Sequence, residues 1–167
     1  MERSEKRAHD YQTFEDLEVY QVSREFRKMM YRVAKCLPET EKFGLISQIR
    51  RAALSLTNNI AEGHGRFHYL DQIKFMLQAR GSLEELMDDL NTCDDEAYLE
   101  PVEIEKLRQE AWCVHRLING YIRFLRSRIA SDSSRVQEVS SDQLTDEEAY
   151  DLLSDRFNPS SLQPFNE

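Results

Sequence analysis

Glycine and proline are scarce, five and four in 167 residues, and the three cysteines, Cys36, Cys93 and Cys113, stand far apart with no CxxC pair. So little glycine and proline argues against short strands joined by tight turns. Beside abundant Leu, Arg, Glu and Ala, it argues for long helices. Isolated cysteines, odd in number, exclude a disulfide framework and suit reduced thiols at core or near-surface positions of a cytoplasmic protein. The amino-terminal MERSEKRAHD lacks the apolar stretch of a signal segment. No run approaches the roughly 20 apolar residues of a membrane span, so no membrane partner is expected. A P-loop, GxGxxG, a Ser/His/Asp ordering and zinc-finger spacing are all missing. A di-iron bundle requires glutamate three positions before histidine, where this chain has Lys6, Ala61, Gly65 and Trp112. His64 and His68 have a metal-like spacing, but Gly65 and a turn between them spoil it. The chain reads as a non-enzyme without cofactor or metal.

Negative charge is abundant but uneven. The net charge is -9, of which residues 129–167 carry -7 and residues 1–128 only -2. The amino-terminal part is therefore near neutral, and local basic patches can exist there.

The stretch QIRRAALSLTNNIAEGHGR, residues 48–66, organises the rest. Ile49, Ala52, Ala53, Leu56, Ile60 and Ala61 recur at the spacing of one buried helix face. Beside them runs a polar stripe of Arg51, Ser55, Asn59, Glu62 and Arg66, which reads as a contact surface or a buried polar seam. An apolar stripe of Leu17, Tyr20, Phe26, Met30, Val33 and Leu37 predicts a preceding helix, with Asp16 as its N-cap and Pro38 closing it. The central helix is expected over residues 41–62, with Thr40 as cap and the glycines Gly63 and Gly65 ending it. A third helix follows over 69–93 on Leu70, Ile73, Leu77, Leu83, Leu86, Met87 and Leu90. Its interior Gly81 predicts the close approach of another backbone. Pro101 suits the first turn of a fourth helix reaching about residue 128. The expected fold is all-α, an up-down-up-down four-helix bundle over residues 14–129, preceded by a flexible terminus of residues 1–13.

Residues 130–167 are rich in Ser, Asp, Glu and Gln, the composition of an acidic, largely disordered tail. Within it, Thr145-Asp146-Glu147-Glu148 reads as a capping box opening a short amphipathic helix over 146–157. That segment, with Ala149, Tyr150, Leu152, Leu153 and Phe157, is suited to docking on its own bundle or on a partner.

FEDLEVYQ (14–21), FGLISQIRRAALSLTNNIAEGHGR (43–66) and ARGSLEEL (79–86) together resemble the bacterial four-helix-bundle family first noticed as products of intervening sequences in 23S ribosomal RNA genes. That family includes the accessory variability determinant proteins of diversity-generating retroelements. The resemblance covers residues 14–128 and none of the tail. It implies a ring-like homopentamer without enzymatic activity and, in the retroelement branch, a basic surface that binds nucleic acid and partners a reverse transcriptase. This chain differs from those relatives in its near-neutral bundle and in Thr57, which stands where many have the proline of an SxPxN motif and leaves the helix straighter.

Arg50, Arg51, Arg66, Lys74 and Arg80 are the candidate phosphate contacts, extended by Arg24, Arg27, Lys28 and Arg32. The alternative for these cations is structural ion pairing, as between Glu62 and Arg51 or Arg66. Ser55, Asn58, Asn59 and Glu62, met by Ser82 and Glu85 of the next helix, form the candidate structural polar network. The aromatics Tyr20, Phe26, Phe67, Phe75 and Trp112 read mostly as packing residues, with any that are exposed marking a subunit interface instead. The expected function is a homo-oligomeric scaffold for RNA, DNA or a ribonucleoprotein, such as a reverse-transcriptase partner. The alternative is a protein-interaction adaptor whose tail is the recognition or autoinhibitory segment.

Overall fold

The computed structural model describes residues 13–140, with side chains through residue 131. Four helices account for most of it: α1 (Glu18–Cys36), α2 (Leu45–His64), α3 (Tyr69–Asp95) and α4 (Pro101–Ser140). Each packs on its neighbours in sequence, and α4 closes the bundle against α1. Every helix brings an apolar stripe to the centre. Phe26 and Met30 of α1, Ile49, Leu56 and Ile60 of α2, Met76, Leu83 and Leu86 of α3, and Ile104, Ile118 and Leu125 of α4 are fully buried there.

The helix ends differ from the expected ones for local reasons. Asp16 caps no α-helix. Its carboxylate accepts from the Thr13 N–H at 2.7 Å, closing a capping box around a 3-10 turn, Phe14–Asp16, and α1 starts behind it. Thr40 is no cap either. It lies in a second 3-10 turn, Glu39–Glu41, and α2 begins only at Leu45, whose N–H is taken by the Glu41 carboxylate at 3.2 Å. Helical backbone in α4 continues to Ser140, past the boundary drawn from composition at residue 129. The amphipathic segment at 146–157 and residues 1–12 of the expected flexible terminus lie outside the described residues.

The glycines work otherwise than predicted. Gly65 is the C-cap of α2 but keeps a right-handed backbone (φ -74, ψ -1), so no left-handed glycine ends that helix. The left-handed residue is Ala97 (φ 52), after α3, where the Tyr98 N–H reaches back to the Cys93 carbonyl at 2.9 Å. The close approach expected at Gly81 is at Gly63 instead. A Cβ on Gly63 would meet the Phe75 Cβ at 2.9 Å, whereas one on Gly81 would meet nothing within 4 Å. Gly81→Ala is therefore expected to stabilise the bundle by about 0.5–1 kcal/mol through helix propensity alone, read as a higher urea midpoint.

Several residues assigned to the core are outside it. Leu70 and Leu77 are 63% and 38% exposed, and Trp112 and Phe67 also face outward. Cys93 is buried and Cys113 half-buried, but Cys36 is exposed. Among the described residues no helix is long and apolar enough to cross a membrane, and no group of His, Cys, Asp and Glu is placed to hold a metal ion.

Candidate nucleic-acid interface

The polar stripe of α2 runs along α3 as a seam. The Ser82 hydroxyl donates to the Ser55 hydroxyl at 2.9 Å, and the Asn59 amide donates to the Ser55 carbonyl and hydroxyl at 2.9 and 3.1 Å. One turn toward the start of α2, Arg51 donates to Glu85 at 2.6 Å and to Gln48 at 2.8 Å. At the other end Arg66 pairs with Glu62 and lies over the Phe75 ring, 4.7 Å from its centroid. Asn58 is exposed and joins none of this. The network thus holds Ser55, Asn59 and Ser82 together, while Glu62 and Glu85 serve as arginine partners at its rim. Both partners of the Arg51–Glu85 bridge are about half exposed, at 59% and 49%, so it contributes roughly 0.2–1 kcal/mol.

The five candidate phosphate contacts do not converge. Arg51 and Arg66 belong to the seam and are paired. Lys74 pairs with Asp71 at 2.8 Å, its ammonium holding that carboxyl below the usual range, and Arg80 donates to Asn119 of α4 at 3.0 Å. Arg50 follows the opposite edge of α2 from Arg51, since successive helical residues are turned by about 100°. Arg50, Leu54 and Thr57, at i, i+4 and i+7, face α1.

On that α1 edge the register is set by Arg27, whose guanidinium donates to the Thr57 hydroxyl at 2.7 Å. Thr57 donates onward to the Leu54 carbonyl at 3.2 Å. The Thr57 hydroxyl therefore ties α1 to α2 within an unbroken helix. Beside this tie lies a groove of about 560 Å³ lined by Arg27, Lys28, Tyr31, Arg32, Lys35 and Leu54, without a carboxylate. Lys28 bonds Glu25 at 2.6 Å, which lowers the Glu25 pKa. Arg24, Arg32, Lys35 and Arg50 have no ion-pair partner among the described residues. Cations with an aromatic and an aliphatic side chain between them can bind a phosphate backbone and stack a base. Lys35 was missed in the sequence, although Arg24, Arg27, Lys28, Tyr31 and Lys35 share a helical face that a count of charges by face would have found.

One buried acid also escaped sequence reasoning. Asp89 of α3 has an Oδ2 that is buried without a hydrogen-bond partner. Burial, with Glu85 and Asp88 adding repulsion against the weaker pull of Arg51, raises its pKa to about 6. Because its folded pKa lies above the unfolded one, the folded state binds the extra proton. Asp89 thus opposes folding increasingly as pH rises from about 4 to about 6, and fully above that. Asp89→Asn is expected to raise stability by roughly 1 kcal/mol at about pH 7.5, allowing for its half exposure, and by almost nothing near about pH 3, below the unfolded pKa. Urea titrations at the two pH values check this. Below Asp89, burial and the charges of Asp89 and Glu41 push the Cys93 thiol up to about 11, which keeps it unreactive.

No curated protein sequence matches the chain significantly. A family model does match, over residues 15–120, taking in the basic face of α1, the whole seam of α2 and α3, and the first half of α4. On that match the chain belongs to the family of 23S rRNA-intervening sequence proteins, which is not a known family of enzymes.

Proposed function

We propose that this protein is a non-enzymatic, homo-oligomeric scaffold that binds RNA, or an RNA within a ribonucleoprotein, through the α1–α2 groove. The observation that carries this reading is the carboxylate-free lining of Arg27, Lys28, Arg32 and Lys35 around Tyr31 and Leu54. Guanidinium and ammonium groups displace counterions from phosphates, and a tyrosine ring offers a stacking face that tolerates any base. Assembly multiplies a modest patch into several, so avidity does not require a strongly basic subunit. Exposed apolar side chains at one end of the bundle support self-association. Phe43 and Val102 are 92% and 78% exposed, and the connections that lead into α2 and α4 beside them are tied together by the Tyr98 hydroxyl on Glu41 at 3.1 Å. By family resemblance the assembly is a pentamer, and a reverse transcriptase is the protein partner of choice.

The test uses the full chain. Its mass in solution is measured by light scattering, and its retardation of single-stranded RNA is followed across a salt series. An oligomer whose RNA affinity falls steeply with salt is expected. A monomer, or an absence of binding at low salt, overturns the reading.

A further inference from the structure

On the α1–α4 side of the bundle lies a second groove, of about 570 Å³ and chemically unlike the first. Leu17 and Val19 from the start of α1 and Leu117, Tyr121 and Phe124 of α4 form an apolar floor, and Gly120 leaves it open. Burial raises the Tyr121 hydroxyl to about pKa 12, so its ring is a neutral part of that floor. Arg116 and Arg123 stand at the rim with Glu18 opposite, and Arg126 and Arg128 follow in the next turns. Residues 111–131 contain these four arginines and no acid, and none of the four has an ion-pair partner among the described residues. A groove with a greasy floor and an unpaired cationic rim fits an acidic amphipathic helix.

The chain carries one such segment immediately beyond α4. We propose that residues 146–157 of the same chain dock in this groove as a helix antiparallel to α4, with Leu152, Leu153 and Phe157 on the floor and Asp146, Glu147, Glu148, Asp151 and Asp155 against the arginines. The reach agrees. From Ser140, the five residues 141–145 span about 17 Å when extended, and the twelve residues 146–157 about 18 Å as a helix. Folding back along α4 at about 1.5 Å per residue, the segment lies level with roughly residues 117–129. The α4 residues lining the groove run from Arg116 to Ser127. A helix this short does not persist alone in water, but a covalently attached one meets its groove at high effective concentration.

Hydrogen exchange of the full chain tests the assignment, with two variants. Gly120→Leu fills the groove, and its Cβ meets only the Arg123 guanidinium, at 4.0 Å, so the bundle accommodates it. Leu152→Asp/Leu153→Asp removes the apolar face of the segment without touching the bundle. Amides of residues 149–157 are expected to exchange at least about tenfold more slowly than a free peptide of the same sequence, equally at micromolar and nanomolar protein, and to lose that protection in both variants. Free-peptide rates in the unaltered chain overturn the proposal, and so does protection that survives Gly120→Leu. Protection that vanishes on dilution assigns the groove to a second copy and overturns it as well.

Discussion

Gly63→Val is expected to lower the stability of the bundle by about 3 kcal/mol, the upper end of what overpacking costs. The α2–α3 pair is packed so closely at this point that a Cβ on residue 63 falls 2.9 Å from the Phe75 Cβ, 3.2 Å from the Met76 Cε and 3.4 Å from the Gln72 carbonyl oxygen. The Met76 methyl can swing aside. The Phe75 Cβ and the Gln72 carbonyl cannot, because they move only with the backbone of α3. Relief therefore comes from spreading the helices, which also pulls on the Gln72 amide bond to the Arg66 carbonyl (2.9 Å) and on the Arg66 stack over Phe75. Gly63→Ala meets the same first clash but gains up to about 1 kcal/mol of helix propensity, so its loss is smaller. Gly81→Ala has the same propensity gain with nothing to clash against, and serves as the internal control. If Gly63→Ala raises the urea midpoint as much as Gly81→Ala does, the close approach of α2 and α3 is refuted.

Arg32→Glu/Lys35→Glu is expected to weaken binding to single-stranded RNA by at least about 100-fold at low salt and to flatten the salt dependence by about 0.7 for each phosphate that is no longer neutralised. Both side chains are exposed cations without ion-pair partners among the described residues, so reversing them breaks no bridge and leaves the fold intact. Lys74→Glu makes the same kind of reversal at one site, half the charge change, on the outer face of α3, where Lys74 is already paired with Asp71. It is expected to change RNA affinity no more than about twofold. Filter binding across a salt series, with circular dichroism to confirm helicity, separates the outcomes. Losses that are equal per reversed charge, so that Lys74→Glu gives half the logarithmic loss of the double replacement, point to diffuse net charge and dismiss the groove as the site.

Much of the architecture was legible in the chain. A buried face written at helical spacing in 49–61, and its counterparts in the other helices, specified four helices, because burying an apolar stripe has few solutions and closing four stripes on one another is the simplest. Local polar chemistry near helix starts was less legible. Asp16 and Thr40 have the right side chains for caps, yet each lies in a 3-10 turn, since whether a cap opens an α-helix depends on where the next turn finds its packing. The seam was half legible. The stripe of Arg51, Ser55, Asn59, Glu62 and Arg66 was visible as a period, but that Glu85 rather than Glu62 takes Arg51 follows from the register of α2 against α3.

The composition and spacing by themselves determined an all-helical bundle, its order of helices and the concentration of acid beyond α4, while three sequence motifs carried the family resemblance. They could not determine which edge of α2 faces which neighbour, and so treated Arg50 and Arg51 as one patch. Packing sends these adjacent residues to different edges of α2, leaves the Asp89 Oδ2 buried without a hydrogen-bond partner, and moves the close approach from Gly81 to Gly63. The reason is physical. Periodicity records only how residues are arranged around their own helix, whereas pairing, clash and desolvation depend on the rotation and offset of a second helix, which no single segment encodes.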